Sequence, residues 1–202
     1  LKDAIDVSPE LFICAAGNAA FGYSGKNIDI YPEYPASLTS DNIIGVAAVD
    51  QNDQLAFFSN YGPISVDLAA PGVYIVNTAC ANSGAPDPQC NYYYMSGTSM
   101  ATPQVSGVAA LIRSVNPQLT NIQIKNIIVK TVDVKASLAG KVKTSGRLNA
   151  TRAIQVANAT LYPPRANFTA IPVTGTVPLT VVFTTFQRMQ QRGTGHSAME
   201  VP

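Results

Sequence analysis

Histidine, charge and cysteine are all scarce in this 202-residue chain, and each scarcity excludes something. Lys, Arg, Asp and Glu make up only 12% of the residues, and the net charge is +1. No field of one sign is present to hold nucleic acid or an anionic membrane. No apolar run reaches the roughly 20 residues that a bilayer-spanning helix needs. The opening LKDAIDVSPE lacks an initiator Met and has no basic segment followed by an apolar one, so it is no signal peptide. It reads as the middle of a helix, with Ala4, Ile5 and Val7 available for packing, and the chain is expected to begin inside a longer protein. No dense carboxylate cluster offers a metal site. The one histidine, His196, stands six residues from the C-terminus.

Three cysteines allow one internal disulfide. Cys14, within LFICAAG, reads as a buried, inert thiol. Cys80 and Cys90 flank ANSGAPDPQ, a loop with a glycine and two prolines. A bridge across so short a loop contributes about 2.5–3 kcal/mol by chain entropy and implies an oxidising compartment. Two free surface thiols are the alternative.

What the chain has is apolar residues, 47% of the total. That supports a large core in one domain, or one domain plus part of another. Leu11–Ala16 and NIIGVAAV (42–49) are short apolar runs, and LAFFSNYG and VDLAAPGVYIVNTA predict further strands broken by Gly62, Pro63, Pro71 and Gly72. Near-continuous apolar strands fit a parallel sheet covered on both faces. A helix is predicted from near Ser99 to Asn116-Pro117, small and apolar all round and therefore buried, with Pro103 in its first turn. A second helix starts at Thr120, whose capping-box partner is Gln123, and places Ile124, Ile127, Ile128 and Thr131 on one face. A third, NATRAIQVANA, has Asn149 as N-cap. PLTVVFTTF then alternates as a strand, and the residues from Gln187 have no apolar period.

The stretch SGTSMATPQVSG (96–107) raises the functional question. A serine hydroxyl is a poor nucleophile until a base takes its proton and donors receive the oxyanion. At a helix N-terminus, Ser99 has unpaired N–H groups beside it, and Gly97 lets a substrate backbone approach. A capping or packing serine fits the spacing equally well.

The wider text resembles the subtilisin-like serine proteases, the subtilases. GTSMATP (97–103) resembles their nucleophile segment and AAGN (15–18) their oxyanion segment. YPAS (34–37), FSNYG (58–62) and LAAPG (68–72) follow in the family's order. The resemblance covers about residues 1–159. It implies an α/β fold, a mostly parallel sheet with helices on both faces and its N-terminal part missing. It makes Ser99 the nucleophile and Asn18 the side-chain oxyanion donor. Ala15, Ala16 and Gly17 then form one wall of the substrate pocket, with Gly97 and Thr98 beside the reacting bond. Glu33, before YPAS, is placed near the pocket floor, where a carboxylate would favour Lys or Arg; a solvated loop glutamate is the plainer alternative. Gln104 stands where many members have a histidine that is not catalytic. The substrate class implied is polypeptide and the location secreted. No cofactor is needed for the chemistry, although the family often carries structural Ca2+, for which the loop Ala36–Asn42 offers carbonyl oxygens.

The family orders its triad Asp, His, Ser. Neither Asp3 nor Asp6 lies in a family-like motif, and His196 falls in the polar tail. The expectation is a fragment of a serine endopeptidase, poorly active alone, whose Asp and His lie in a missing N-terminal part. A non-catalytic pseudoprotease or peptide-binding module is the competing reading. A lipase is disfavoured because GTSMA lacks the second glycine of Gly-x-Ser-x-Gly. Residues 160–165 read as a linker, 166–186 resemble the opening strands of a PKD-type β-sandwich, and 187–202 read as a disordered tail. Asn149, Asn158 and Asn167 open Asn-x-Thr sequons that matter only in a eukaryotic secretory setting.

Overall fold

IIGVAAV is buried at every residue, because it is the second strand of a sheet covered on both faces. The computed structural model describes residues 1–20, 22–81, 89–161, 167–171 and 182–186, the last two segments as backbone. The chain divides into two units, Leu1–Asn158 and Ala159–Pro202.

In the first unit, β1 (Phe12–Ala15), β2 (Ile43–Val49) and β3 (Leu68–Pro71) lie parallel. The two-residue strands β6 (Asp133–Val134) and β7 (Gly146–Arg147) complete a sheet of order β1-β2-β3-β7-β6, with β7 parallel to β3 and β6 antiparallel to β7. Strand periodicity sends Ile44, Val46 and Ala48 to one face and Ile43, Ala47 and Val49 to the other. The first face packs on α2 (Thr98–Val115), α3 (Asn121–Lys130) and α4 (Ala150–Leu161). The second is covered by Ile5 of α1 (Lys2–Asp6), by Leu138 of the 3-10 turn Ala136–Leu138, and by loop residues Ile28, Ala36 and Val142.

The helix signals in the sequence correspond to real caps. Thr120 Oγ1 accepts from Gln123 N at 3.2 Å while Thr120 N donates to Gln123 Oε1 at 2.7 Å. Asn149 Oδ1 accepts from Arg152 N at 2.9 Å at the start of α4. Ile124, Ile127, Ile128 and Thr131 are all buried.

Other expectations need correction. α2 is not buried all round: Ala101, Val105, Val108 and Ile112 face the sheet, while Ser106, Gly107, Ala110 and Leu111 are exposed. Only one stripe of a helix can lie on a single sheet face, and its outer residues here are mostly small. Of the opening residues, Ile5 alone packs; Ala4 and Val7 are exposed. LAFFSNYG forms no strand. It is a chain of turns tied by isolated bridges, Val49 to Leu55, Asn18 to Ser59, Asn27 to Tyr61 and Gly62 to Val142. α4 continues to Leu161, into the expected linker.

β4 (Ile75–Ala81) and β5 (Gln89–Met95) form an antiparallel hairpin that the sequence reading did not anticipate. Its register sets Cys80 opposite Cys90, and the two are disulfide-bonded. Cys14 is a free, buried thiol, which burial pushes above its ordinary pKa.

In the second unit, β8 (Asn167–Ile171) pairs antiparallel with β9 (Val182–Phe186). The rest of the sandwich-like segment and the tail expected to be disordered, with His196, lie outside the described residues.

Candidate active site

Ser99 sits where a parallel α/β sheet places its chemistry, beyond the carboxyl ends of the strands. β3 ends at Pro71, and Gly72 N donates to Val49 O at 2.9 Å. Gly97 N then donates to Gly72 O at 2.8 Å, bringing the start of α2 over the strand ends. Gly72 is required for this approach, because a Cβ there would lie 2.6 Å from Ala48 Cβ and 2.8 Å from Gly97 O. Gln104, one turn into α2, donates to Pro71 O at 2.6 Å and ties the helix to the same strand end.

AAGN turns away at the end of β1. Ala16 N still donates to Val46 O, at 2.9 Å. Gly17 then takes φ +87°, a left-handed conformation in which a Cβ would sit 2.9 Å from Asn60 Nδ2. Asn60 holds the turn from three sides. Its Nδ2 donates to Ala16 O at 3.1 Å, its N to Gly17 O at 3.0 Å, and its Oδ1 accepts from Lys26 N at 3.0 Å. Ser59 Oγ accepts from Ala48 N at 2.9 Å, locking FSNYG to β2.

The turn delivers Asn18 to the N-terminus of α2. Asn18 Oδ1 accepts from Thr98 N at 3.0 Å and from Thr98 Oγ1 at 3.2 Å. A residue 80 positions away thus caps a helix whose own N-cap, Gly97, has no side chain to do so. With Oδ1 engaged, Asn18 Nδ2 is left to donate elsewhere. A methyl carbon built on Gly97 would lie 3.5 Å from Asn18 Nδ2 and 3.7 Å from Ser99 N. Both nitrogens therefore lie close to Gly97, as does Met100 Sδ, 3.7 Å from the same carbon. Ser99 N has no acceptor among the described residues, as expected in the first turn of a helix. Ser99 and Asn18 are exposed, whereas Gly97 and Thr98 are buried.

Several expected contacts change role. Thr98 has no exposed surface and meets Asn18 rather than a substrate. Ala16 also has none; strand alternation puts it with Cys14 in the core, and of that segment only Ala15 and Gly17 are half-exposed. Glu33 lies near Gly17, its Cγ 3.8 Å from a Cβ built there. Its carboxylate pairs with Lys26, Oε1 to Nζ at 2.7 Å. Sequence reasoning missed Asn60 and Lys26; the FSNYG motif pointed to the first and nothing pointed to the second.

In the Ala36–Asn42 loop, one backbone carbonyl, that of Asp41, is engaged by Lys125. Its Nζ donates to Asp41 O at 2.9 Å and, just beyond the loop, to Ile43 O at the start of β2. Among the described residues no group of three His, Cys, Asp or Glu side chains comes together.

A serine thus stands at a helix N-terminus, beyond the carboxyl end of a parallel sheet, with Asn18 Nδ2 and its own N–H nearby. Residues 3–161 match the subtilase family, peptidase S8, and the chain belongs to that family. It is 44% identical over 138 residues to a thermophilic serine proteinase of Bacillus sp. (strain AK1), covering 68% of this chain and 31% of that protein. It is 41% identical over 143 residues to thermitase of Thermoactinomyces vulgaris, covering 71% and 43%. Among solved structures, a protease of Pseudoalteromonas arctica PAMC 21717 matches with TM-score 0.60 and 31% identity over 77% of this chain and 46% of that one. The subtilase cytotoxin SubAB matches with TM-score 0.63 and 29% identity over 75% and 50%. The chain thus spans less than half the length of these two curated relatives.

Proposed function

We propose that this chain carries the nucleophile and oxyanion site of a serine endopeptidase. Ser99 Oγ attacks the peptide carbonyl, and its proton passes to a base. The carbonyl oxygen becomes an oxyanion, received by Asn18 Nδ2 and Ser99 N. Collapse expels the amine, which takes up the proton from the base, and leaves an acyl-enzyme that water hydrolyses. The placement of both nitrogens beside Gly97, next to Ser99 at the start of α2, is the observation that carries this reading. In subtilisin, loss of the equivalent asparagine costs about 2.7–4 kcal/mol of transition-state stabilisation.

In this reading the base lies in a part of the family's domain that this chain does not match, since it covers only 31% and 43% of its relatives. In subtilisin, removing the histidine alone lowers kcat by about 10⁶. The isolated chain is therefore expected to hydrolyse peptides poorly. Ala15 and Gly17 form a wall against which an extended peptide lies. The exposed Cys80–Cys90 bridge suits a secreted protein, and no described helix is long and apolar enough to cross a membrane. Residues 166–186 would add a PKD-like attachment segment.

The test is peptide hydrolysis by a polypeptide extending this chain to the family's full domain, with and without Ser99→Ala. Loss of hydrolysis in the variant supports the reading. Hydrolysis that survives Ser99→Ala, or hydrolysis by the isolated chain that Ser99→Ala abolishes, contradicts respectively the nucleophile and the external base.

A further inference from the structure

Unlike β1, β2 and β3, the strands β4 and β5 pack chiefly on each other. Both faces of their hairpin are open: Val76 and its partner Tyr94 are exposed on one, Asn77 and its partner Tyr93 on the other. A two-stranded hairpin with no core behind it is marginally stable at best in water. What closes this one is covalent, the bridge between Cys80 and Cys90, which stand directly opposite each other. Both cysteines are exposed and so within reach of a thiol in solution. The other end of the hairpin runs straight into the candidate site. The register ends at Ile75 opposite Met95, and beyond it Tyr74 N donates to Ser96 Oγ at 2.9 Å. Tyr74 takes φ +53°, a left-handed conformation that is rare for a bulky side chain. Such strain persists only where the surroundings impose it. Ser96 then leads through Gly97 and Thr98 to Ser99.

We infer that the Cys80–Cys90 disulfide is a redox-sensitive latch on the segment that carries Ser99: closed, it keeps β4 and β5 in register and Ser96 on Tyr74; opened by a dithiol, it lets the hairpin part, Tyr74 relax and the Ser96 end of the segment move. The exchange is balanced. A thiolate of the dithiol attacks the sulfur of one cysteine, the S–S bond breaks, and the other cysteine leaves as a thiolate that takes up a proton. The second thiol of the reagent then resolves the mixed disulfide, so that both cysteines end as thiols and the dithiol as a disulfide. Cys14, a buried thiol, stays out of the exchange. The latch bears on catalysis only through the reading of Ser99 as nucleophile; its effect on the segment does not depend on that reading.

The test is amide hydrogen exchange, followed by NMR on the ¹⁵N-labelled 202-residue chain. It is measured on the oxidised chain, after dithiothreitol, after reoxidation, and on the double variant Cys80→Ser, Cys90→Ser. Opening the bridge is expected to speed exchange of the Tyr74 amide and of the β4 and β5 amides at least about tenfold, the scale on which closing a short loop stabilises a chain. The Thr98 amide, held by Asn18, is expected to shift and to exchange faster as well. The amides of β2 should keep their protection. Reoxidation should restore the original pattern, and the double variant should resemble the reduced chain and ignore dithiothreitol. Unchanged exchange of Tyr74 and β5 in both the reduced chain and the double variant would overturn the inference. So would a hairpin that opens while Thr98 keeps its shift and exchange rate, since the bridge then does not reach the site. Loss of protection in β2 would also overturn it, because the bridge would then hold the fold as a whole. None of these readings requires hydrolysis, so failure of the latch and failure of Ser99 as nucleophile are separate results.

Discussion

Asn18 and Thr98 lie 80 residues apart in sequence and share two hydrogen bonds, Thr98 N to Asn18 Oδ1 at 3.0 Å and Thr98 Oγ1 to the same oxygen at 3.2 Å. One oxygen thereby caps α2 and sets the direction of the amide nitrogen opposite it. Thr98→Val keeps the volume and removes the hydroxyl donor. A hydrogen bond of this kind is worth about 0.5–1.5 kcal/mol, so kcat for peptide hydrolysis is expected to fall about threefold to tenfold with KM little changed. Steady-state kinetics on the polypeptide that carries the base checks this.

Gly97 is extended, so no backbone strain forbids a side chain there. An added Cβ would make only ordinary contacts, at 3.5 Å or more, yet it would lie next to both donors and take space an oxyanion needs. Gly97→Ala is therefore expected to fold with nearly unchanged stability and to lose about 100-fold or more in kcat, the scale of a lost oxyanion donor. Denaturant melts alongside hydrolysis rates separate the two effects.

Gly17→Ala presents the opposite case. Its φ of +87° is strained for an L side chain, and the Cβ would press on Asn60 Nδ2 at 2.9 Å. The left-handed conformation costs about 1–2 kcal/mol before that contact is counted. A lower midpoint of urea unfolding is expected, together with shifted amide signals at Lys26, which Asn60 also holds.

Arg147 bridges two carboxylates, Nη1 to Asp53 Oδ1 at 2.8 Å and Nη2 to Asp133 Oδ2 at 3.0 Å. The hydrogen bond from Lys135 and the charges of Arg147 and Lys135 hold Asp53 below its ordinary pKa; the hydrogen bond from Asn149 and the contacts of Arg147 do the same for Asp133. Folded values below the unfolded ones mean that the unfolded chain binds protons first as pH falls. The stabilisation is therefore complete above the unfolded value near 3.9 and is lost as pH drops through the folded values. Arg147→Met is expected to be less stable at pH 7 and to lose less stability than the parent between pH 5 and pH 2. Urea melts across that range check it.

The parts of this structure legible in the sequence are those whose cause is local. IIGVAAV is apolar throughout because both of its faces are covered, and Thr120 and Asn149 cap with their own side chains. What was not legible depends on contacts between distant residues. β5 is exposed and polar as well as aromatic, and it is a strand because it pairs with β4. The motif places Thr98 beside Ser99 as if to meet a substrate, but its side chain is buried against Asn18. Asn60 reaches back 44 residues to Ala16, and the pairing of Lys26 with Glu33 requires two loops to fold side by side. Each site residue stood in a motif, but its partner did not follow from that motif.

The most direct measurement is labelling with a fluorophosphonate, mapped by peptide mass spectrometry, on this chain and on a longer polypeptide that includes the family's upstream Asp and His. Rapid modification of Ser99 in the longer protein, with little in the 202-residue chain, is the expected result. Modification at another residue, or none at Ser99 in the longer protein, would contradict its assignment as the nucleophile.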